Sequence, residues 1–209
     1  MIRGLIFDLD GTLVDSLPGI AAALNHSLED LGLPSHSEKA VASYIGDGVE
    51  TLVKRALGTD DSQKCAEVVL GFQRHYPTDW QAGTRPYPGL MELLEELSTK
   101  GFPMAVLSNK PHEYTVEIVG KLFRTDLFRP IRGHQSQFPK KPDPTTALQI
   151  VADWGFKPEE VAYVGDSTVD LATARAANLV PLIFSWGYGT PDDFPLLNSV
   201  ADLKQALFS

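Results

Sequence analysis

Residues 5–16 read Leu5-Ile6-Phe7-Asp8-Leu9-Asp10-Gly11-Thr12-Leu13-Val14-Asp15-Ser16, and this stretch organises the interpretation of the whole chain. Its apolar start is typical of a strand buried on both faces inside a parallel sheet. Because side chains alternate along a strand, Asp8 and Asp10 point to the same side, about 6–7 Å apart along the backbone. Two such carboxylates repel each other unless a cation or a shared proton intervenes. The alternative is that two acids merely cap a strand at the surface; the surrounding stretch favours a site for Mg²⁺, which prefers oxygen ligands.

Length and composition limit the classes of protein to which the chain can belong. Its 209 residues suit one domain, or a core with a modest insert, and 43% of them are hydrophobic. A formal net charge of −9 disfavours nucleic acid and anionic membranes as partners. No apolar segment approaches the roughly 20 residues of a membrane span, no secretory signal is evident, and the single cysteine cannot form an internal disulfide. We expect a cytoplasmic protein, either a monomer or a homodimer.

The middle of the chain predicts two kinds of architecture in succession. Residues 17–82 show helical periodicity, and residues 83–89 have the glycines and prolines of a linker. From residue 90 onward, apolar strands alternate with amphipathic helices, a pattern that predicts a parallel sheet covered on both faces. The predicted helices are 20–31, 37–44, 49–57, 60–76, 90–100, 113–123, 145–154, 169–177 and 200–208, and the later strands are 104–107, 130–133, 161–164 and 181–185.

The fold class predicted from this pattern is α/β, with a doubly wound parallel sheet and an inserted all-helical cap. The core comprises residues 1–15 and 84–209, and the cap comprises residues 16–83. Polar residues follow three of the predicted strands: Asp8 and Asp10 after the first, Ser108 and Asn109 after the second, and Asp166 after a later one. Ligands of such sheets bind beyond the carboxyl ends of the strands, so we expect these side chains to converge on one site.

Four segments together resemble the signatures of the haloacid dehalogenase-like hydrolase superfamily. The first is the Asp8-Leu9-Asp10-Gly11-Thr12 string, and the second is Ser108 at the end of a strand. The third is Lys141 in Lys141-Pro142-Asp143-Pro144, although the adjacent Lys140 leaves open which amine reaches the phosphate. The fourth is Gly165-Asp166-Ser167-Thr168-Val169-Asp170. The resemblance implies a Rossmann-like core with a helical cap, and a phosphatase that uses Mg²⁺.

The same resemblance implies a role for each matching residue. Asp8 would be the nucleophile that forms an aspartyl-phosphate, and Asp10 would be the general acid and base. Asp8, the Asp10 backbone carbonyl and Asp166 would hold Mg²⁺, while Ser108, Asn109 and Lys141 would contact the phosphate. Asp170 would orient either a metal-bound water or the lysine amine.

Substrate choice is expected to lie in the cap. Gly46 belongs to a Gly46-Asp47-Gly48 turn directly before a helix, where backbone N–H groups can meet a small anion, and Arg55 is a candidate cation. The strings Tyr-Ile-Gly-Asp-Gly-Val, Tyr87-Pro88-Gly89 and Trp186-Gly187-Tyr188-Gly189 resemble phosphoglycolate phosphatases. This likeness implies a small phosphorylated metabolite, 2-phosphoglycolate, as the substrate.

Several alternative functions stay open on sequence alone. The core would equally suit another sugar-phosphate or nucleotide phosphatase, or a phosphomutase related to β-phosphoglucomutase. A phosphonatase would need a cap lysine, for which Lys54 is available, whereas Asp10 argues against a dehalogenase. A non-catalytic binding protein on the same fold is the alternative from a different class.

Overall fold

A six-stranded parallel sheet lies at the centre of the computed structural model, which describes residues 1–208. Its strand order is β5-β4-β1-β6-β7-β8. An additional antiparallel ribbon joins β2 to β3. The strands are β1 (Gly4–Phe7), β2 (Val14–Asp15), β3 (Arg85–Pro86), β4 (Met104–Pro111), β5 (Ile131–His134), β6 (Val161–Gly165), β7 (Val180–Phe184) and β8 (Leu196–Leu197).

Strand β1 has the central position that its apolar sequence predicts. It pairs in parallel with β4 on one side and with β6 on the other, so that Leu5 lies opposite both Met104 and Ala162. Side-chain alternation sends Leu5 and Phe7 into one hydrophobic core and Ile6 into a second core on the opposite face of the sheet. The prediction of a strand buried on both faces is therefore confirmed.

Helices cover both faces of this sheet, and all but the last of them lie on connections between strands. They are α5 (Leu90–Thr99), α6 (His112–Leu122), α7 (Thr145–Asp153), α8 (Thr168–Ala176) and α9 (Val200–Phe208), with a short 3₁₀ turn at Pro158–Glu160. The predicted α/β class with a doubly wound parallel sheet is confirmed. None of the helices within residues 1–208 has the length and apolar character needed to cross a membrane.

A helical segment follows β1 and β2. It consists of α1 (Leu17–Glu29), α2 (Glu38–Ala42), α3 (Val49–Leu57) and α4 (Ser62–Gly83). Helix α1 packs closely along α4, because Gly19 lies against the backbone of Trp80 and Ser27 donates a 2.7 Å hydrogen bond to the Val68 carbonyl. The boundaries of core and cap at residues 15–16 and 83–84 stay a prediction.

The structure differs from the predicted elements in four places. Helix α4 continues past Pro77 to Gly83 instead of ending at residue 76, and its extension buries Trp80. Strand β4 runs on to Pro111, and the linker contains β3, which pairs with β2. Strand β8 was not predicted either, because a strand of only two residues depends on its pairing with β7 rather than on local sequence.

Candidate active site

The carboxyl ends of β1, β4 and β6 meet at one edge of the sheet and bring the predicted site residues together. Asp8 follows β1, Ser108 and Asn109 lie in β4, and Asp166 follows β6. Lys141 arrives from the loop before α7. All five residues are buried, and between 1% and 8% of the surface of each is exposed to solvent. The expected convergence at the edge of a parallel sheet is what the structure shows.

Lys141 is the lysine that reaches the carboxylates. Its Nζ lies 2.7 Å from Asp170 Oδ1 and 2.9 Å from Asp8 Oδ1. Asn109 holds the Lys141 backbone from both sides: its Oδ1 accepts from the Lys141 N–H at 2.8 Å, and its Nδ2 donates to the Lys141 carbonyl at 3.1 Å. Burial lowers the pKa of Lys141, but Asp170 and Asp8 outweigh that effect and raise the pKa well above its usual value. Lys141 is therefore a fixed cation.

Lys140 points away from this group. Its Nζ lies 3.3 Å from Glu50 Oε2, and the side chain is partly exposed. The same amine also lies beside Gly48, at the start of α3. Lys140 thus links the loop before α7 to α3, whereas its neighbour reaches Asp8.

Asp170 joins Lys141 to the start of α8. Its Oδ1 accepts from Lys141, while its Oδ2 accepts from the N–H groups of Asp166 and Ser167, each at 3.1 Å. Ser167 completes a capping box, because its Oγ accepts from the Asp170 N–H at 3.2 Å. Since Ser167 caps the helix, the Asp166 carboxylate is available for another role.

Asp166 is held in a narrow space at the floor of the site. Its Oδ1 accepts from the Thr12 hydroxyl at 2.7 Å, and its Oδ2 accepts from the Tyr188 N–H at 2.8 Å. A Cβ atom at Gly11 or Gly187 would collide with this carboxylate. Burial, and then the charges of Asp170 and Asp8, raise the pKa of Asp166 well above its usual value.

The charges at this point favour a bound divalent cation. Asp8, Asp166 and Asp170 each place a carboxylate oxygen within 4.8 Å of the others, and Lys141 is the cation that contacts two of them. Burial raises the pKa of Asp8 to about 7, although Lys141 acts in the opposite direction. Three buried carboxylates beside one ammonium group carry excess negative charge, and oxygen-only donors suit a hard cation. The donor set therefore fits a metal ion.

Lys110 is a site residue that the sequence analysis missed. Its Nζ lies 2.8 Å from Asp10 Oδ2 and 4.9 Å from the centre of the Tyr76 ring. Burial lowers the pKa of Lys110, but Asp10 and then Tyr76 outweigh burial and raise that pKa above its usual value. Alternation along β4 places Lys110 on the same face as Ser108, and this spacing was a signal that could have identified it.

A cavity of about 410 Å³ opens above these residues, between the sheet edge and helices α1, α3, α4 and α6. Its lining combines two kinds of side chain. Acids, a hydroxyl, an amide and an amine come from the sheet edge, whereas the aliphatic and aromatic side chains come mainly from the helices. The first group comprises Asp8, Asp10, Ser108, Asn109, Lys110 and Asp166, and the second comprises Ile20, Ile45, Val49, Leu52, Phe72, Tyr76 and Tyr114.

The two predicted cap contacts lie in different places. Gly46 lines the cavity, and its carbonyl accepts from Asn109 Nδ2 at 3.2 Å. Arg55 is exposed and turns toward the preceding segment, where it contacts Asp47 Oδ2 at 2.6 Å and the Tyr44 carbonyl at 3.1 Å. Lys54 is also exposed and pairs with Asp60 at 3.2 Å. Arg55 is thus placed to hold the Gly46-Asp47-Gly48 turn rather than to face the cavity.

Comparison with known proteins relates this arrangement to described families. A family model described as haloacid dehalogenase-like hydrolase matches residues 5–183. A protein named phosphoglycolate phosphatase from Cereibacter sphaeroides is 40% identical over 189 residues, which are 88% of this chain and 86% of that protein. One of the same name from Aquifex aeolicus is 37% identical over 187 residues, covering 90% of this chain and 86% of the relative.

Solved structures give the same comparison in three dimensions. A protein from Haemophilus somnus, described as a predicted phosphoglycolate phosphatase, superimposes with a TM-score of 0.90 and 29% identity. The match covers 99% of this chain and 98% of that one. It therefore includes the helices between β2 and β3 as well as the sheet.

Proposed function

The chain belongs to the haloacid dehalogenase-like hydrolase family, and on this premise we propose that it is a Mg²⁺-dependent phosphatase for a small phosphomonoester, with 2-phosphoglycolate as the first candidate substrate. One observation carries the proposal. Asp8 is buried beside Lys141 and Asp166 on the wall of a cavity that is large enough for a small ligand. The choice of substrate follows the names of the relatives.

Asp8 acts as the nucleophile in this mechanism. A carboxylate oxygen attacks phosphorus in line, the alcohol departs, and the aspartyl-phosphate is then hydrolysed by water. Lys141 keeps its positive charge throughout and neutralises the transferring oxygens, while Asp170 holds the amine in place. Mg²⁺, held by Asp8, Asp166 and the Asp10 backbone carbonyl, would offset the repulsion between Asp8 and the phosphate.

Asp10 transfers the protons in both steps. It protonates the departing alkoxide and then takes a proton from the attacking water. Ser108 lines the cavity next to Asp8, where its hydroxyl can donate to a phosphate oxygen without adding charge. The Asn109 amide already donates to the Gly46 and Lys141 carbonyls, so Asn109 acts by holding the segment that carries Lys141. Lys110 contacts Asp10 and contributes a further positive charge beside it.

The test is phosphate release from a panel of phosphomonoesters that includes 2-phosphoglycolate, with Mg²⁺ and with a chelator. We expect Mg²⁺-dependent release of inorganic phosphate, which a phosphomutase or a binding protein would not give. Asp8→Asn should lower the rate by at least about 10³-fold, whereas the exposed Asp153→Asn should leave it unchanged. Full activity of Asp8→Asn would exclude the mechanism.

A second candidate is supported by the aromatic side chains that line the cavity. Phe72 and Tyr76 stack with ring centroids 5.0 Å apart, and Tyr114 packs edge-on against Tyr76. Aromatic walls of this kind suit a nucleoside monophosphate, whose base can stack, better than a two-carbon acid. If nucleotides in the panel give the higher kcat/KM, the nucleotide phosphatase replaces the first candidate. A cytoplasmic location and a monomeric or homodimeric state stay predictions.

A further inference from the structure

Two histidine–aspartate pairs face each other on α1 and α4, away from the cavity. His26 and Asp30 are four residues apart at the end of α1, and His75 and Asp79 are four residues apart on α4, so each pair shares a helix face. The contacts cross between the helices: His26 Nδ1 lies 2.8 Å from Asp79 Oδ2, and His75 Nε2 lies 2.9 Å from Asp30 Oδ2. The two imidazole rings have centroids 5.3 Å apart.

We propose that His26, His75 and Asp79 form a binding site for a divalent transition-metal ion such as Zn²⁺. One ligand atom from each of the three residues lies within 4.8 Å of the others. In a tetrahedral zinc site with bonds of 2.0–2.1 Å, ligand atoms are about 3.3–3.4 Å apart, so small side-chain rotations bring these three to the required spacing. A fourth position would be left for water.

The chemistry of the donors separates this site from the catalytic carboxylates. Imidazole nitrogen suits zinc, copper and nickel, whereas Mg²⁺ takes carboxylate, carbonyl and water oxygens. The cluster of Asp8, Asp166 and Asp170 contains oxygen donors alone. The two clusters should therefore select different metals.

The surroundings of the cluster meet two further requirements of a metal site. Asp30 contacts one nitrogen of His75 and so orients the ring, as carboxylates do for ligating histidines. The His26 and His75 side chains are 48% and 33% exposed, so an ion can reach them from solvent. Arg74 lies 3.4 Å from the same Asp30 oxygen and, being 69% exposed, can move aside.

Proton competition gives the site a pH dependence. Zinc binds neutral imidazole, so a metal ion must displace protons from the two histidines, and binding should weaken as the pH is lowered. A bound ion would link α1 to α4 and stabilise the helical segment by mass action.

The test measures Zn²⁺ binding by calorimetry at pH 7.5 in a protein whose catalytic carboxylates are disabled by Asp166→Asn. We expect one Zn²⁺ per chain in this variant, with Co²⁺ giving visible absorption bands of a histidine-ligated ion. Adding His26→Gln and His75→Gln should weaken binding by at least about 100-fold, and Asp30→Asn by about 10-fold. The matched control, His36→Gln on the loop before α2, should have no effect.

The proposal is overturned if the Asp166→Asn protein binds no Zn²⁺ at micromolar concentration, or if the two histidine substitutions leave binding intact. Circular dichroism shows whether each variant is folded, and folding is expected because the exchanged side chains are partly exposed. In the otherwise native chain with Mg²⁺, His26→Gln and His75→Gln should keep phosphate release unchanged. This last measurement separates the zinc site from the proposed phosphatase, since neither depends on the other.

Discussion

Lys110 Nζ lies 2.8 Å from Asp10 Oδ2 and 3.0 Å from Asp10 Oδ1, so the two side chains form an ion pair inside the cavity. Asp10 follows the central strand and Lys110 lies in the neighbouring strand β4. Both side chains are largely buried, with exposed fractions of 7% for Lys110 and 12% for Asp10. The residue proposed as general acid and base is therefore held in place by a cation that does not belong to the four family signatures.

Lys110→Met should slow the reaction more than it weakens substrate binding. Removing the amine leaves the Asp10 carboxylate without its partner, and we expect kcat to fall by about 10–100-fold with a smaller change in KM. Steady-state phosphate release over a range of substrate concentrations measures both constants.

Lys204→Met is the matched control for this variant. Lys204 Nζ contacts Glu96 Oε2 at 2.6 Å, but the pair lies at the surface, with the lysine side chain 52% exposed. Exposed pairs contribute little to stability, so kcat and KM should remain those of the native protein. Equal behaviour of the two variants would contradict a positioning role for Lys110.

Lys141→Met and Lys140→Met should have different effects although the residues are adjacent. Lys141 contacts Asp8 and Asp170, and its loss leaves buried carboxylates uncompensated, so we expect kcat to fall by roughly 10³-fold or more. Lys140 contacts Glu50 on α3, and its loss should change KM by no more than about 10-fold. Phosphate release at saturating substrate distinguishes the two variants. A larger loss of kcat in Lys140→Met than in Lys141→Met would show that Lys140, and not Lys141, contacts the phosphate.

Gly187→Ala tests the narrow space around Asp166. The added Cβ would collide with the Asp166 carboxylate and Cβ, so the carboxylate must move away from Thr12 and Tyr188. We expect the Mg²⁺ concentration for half-maximal activity to rise by about 10–100-fold. Gly189→Ala is the control, because its Cβ would lie no closer than 3.3 Å to Ser167 and would not meet Asp166. Unchanged Mg²⁺ dependence in Gly187→Ala would show that Asp166 has no part in holding the metal.

The convergence of Asp8, Ser108 and Asp166 was predictable because it depends on local patterns and one topological rule. Apolar runs identify the strands, and parallel strands place their carboxyl ends at one edge of the sheet. The direction in which a long side chain turns was not predictable in this way. Arg55 lies on the helix where periodicity places it, but its contacts with Asp47 and the Tyr44 carbonyl depend on the fold of the preceding turn.

Helix length and short strands escaped prediction for a related reason. Pro77 lacks an N–H group and is unfavourable within a helix, yet α4 continues beyond it because the added turns bury Trp80 against the rest of the protein. The β2–β3 ribbon joins residues about 70 positions apart in sequence, and no local pattern shows that they meet. Tertiary contacts decided both features.

Asp8→Asn should stabilise the protein at neutral to alkaline pH when no divalent cation is present. Burial raises the pKa of Asp8 from 3.8 to about 7, so between these values the native state binds more protons at this site than the unfolded chain. The free energy of unfolding therefore decreases as the pH rises from about 4 to 7, and above pH 7 the protein carries the full cost of a buried, ionised Asp8. Asparagine carries no charge and removes that penalty.

Thermal unfolding in a chelator measures this effect. We expect Tm of Asp8→Asn to exceed that of the native protein by about 2–6 °C at pH 8, and the difference to shrink toward pH 4. With saturating Mg²⁺ the difference should decrease or reverse, because the cation stabilises the native carboxylates and binds the variant less well. Asp153→Asn, which changes an exposed acid, should show none of these differences. A native protein that is as stable as Asp8→Asn at pH 8 in the chelator would mean that Asp8 is not destabilised by burial, and the charge argument for a cation at this site would lose its main support.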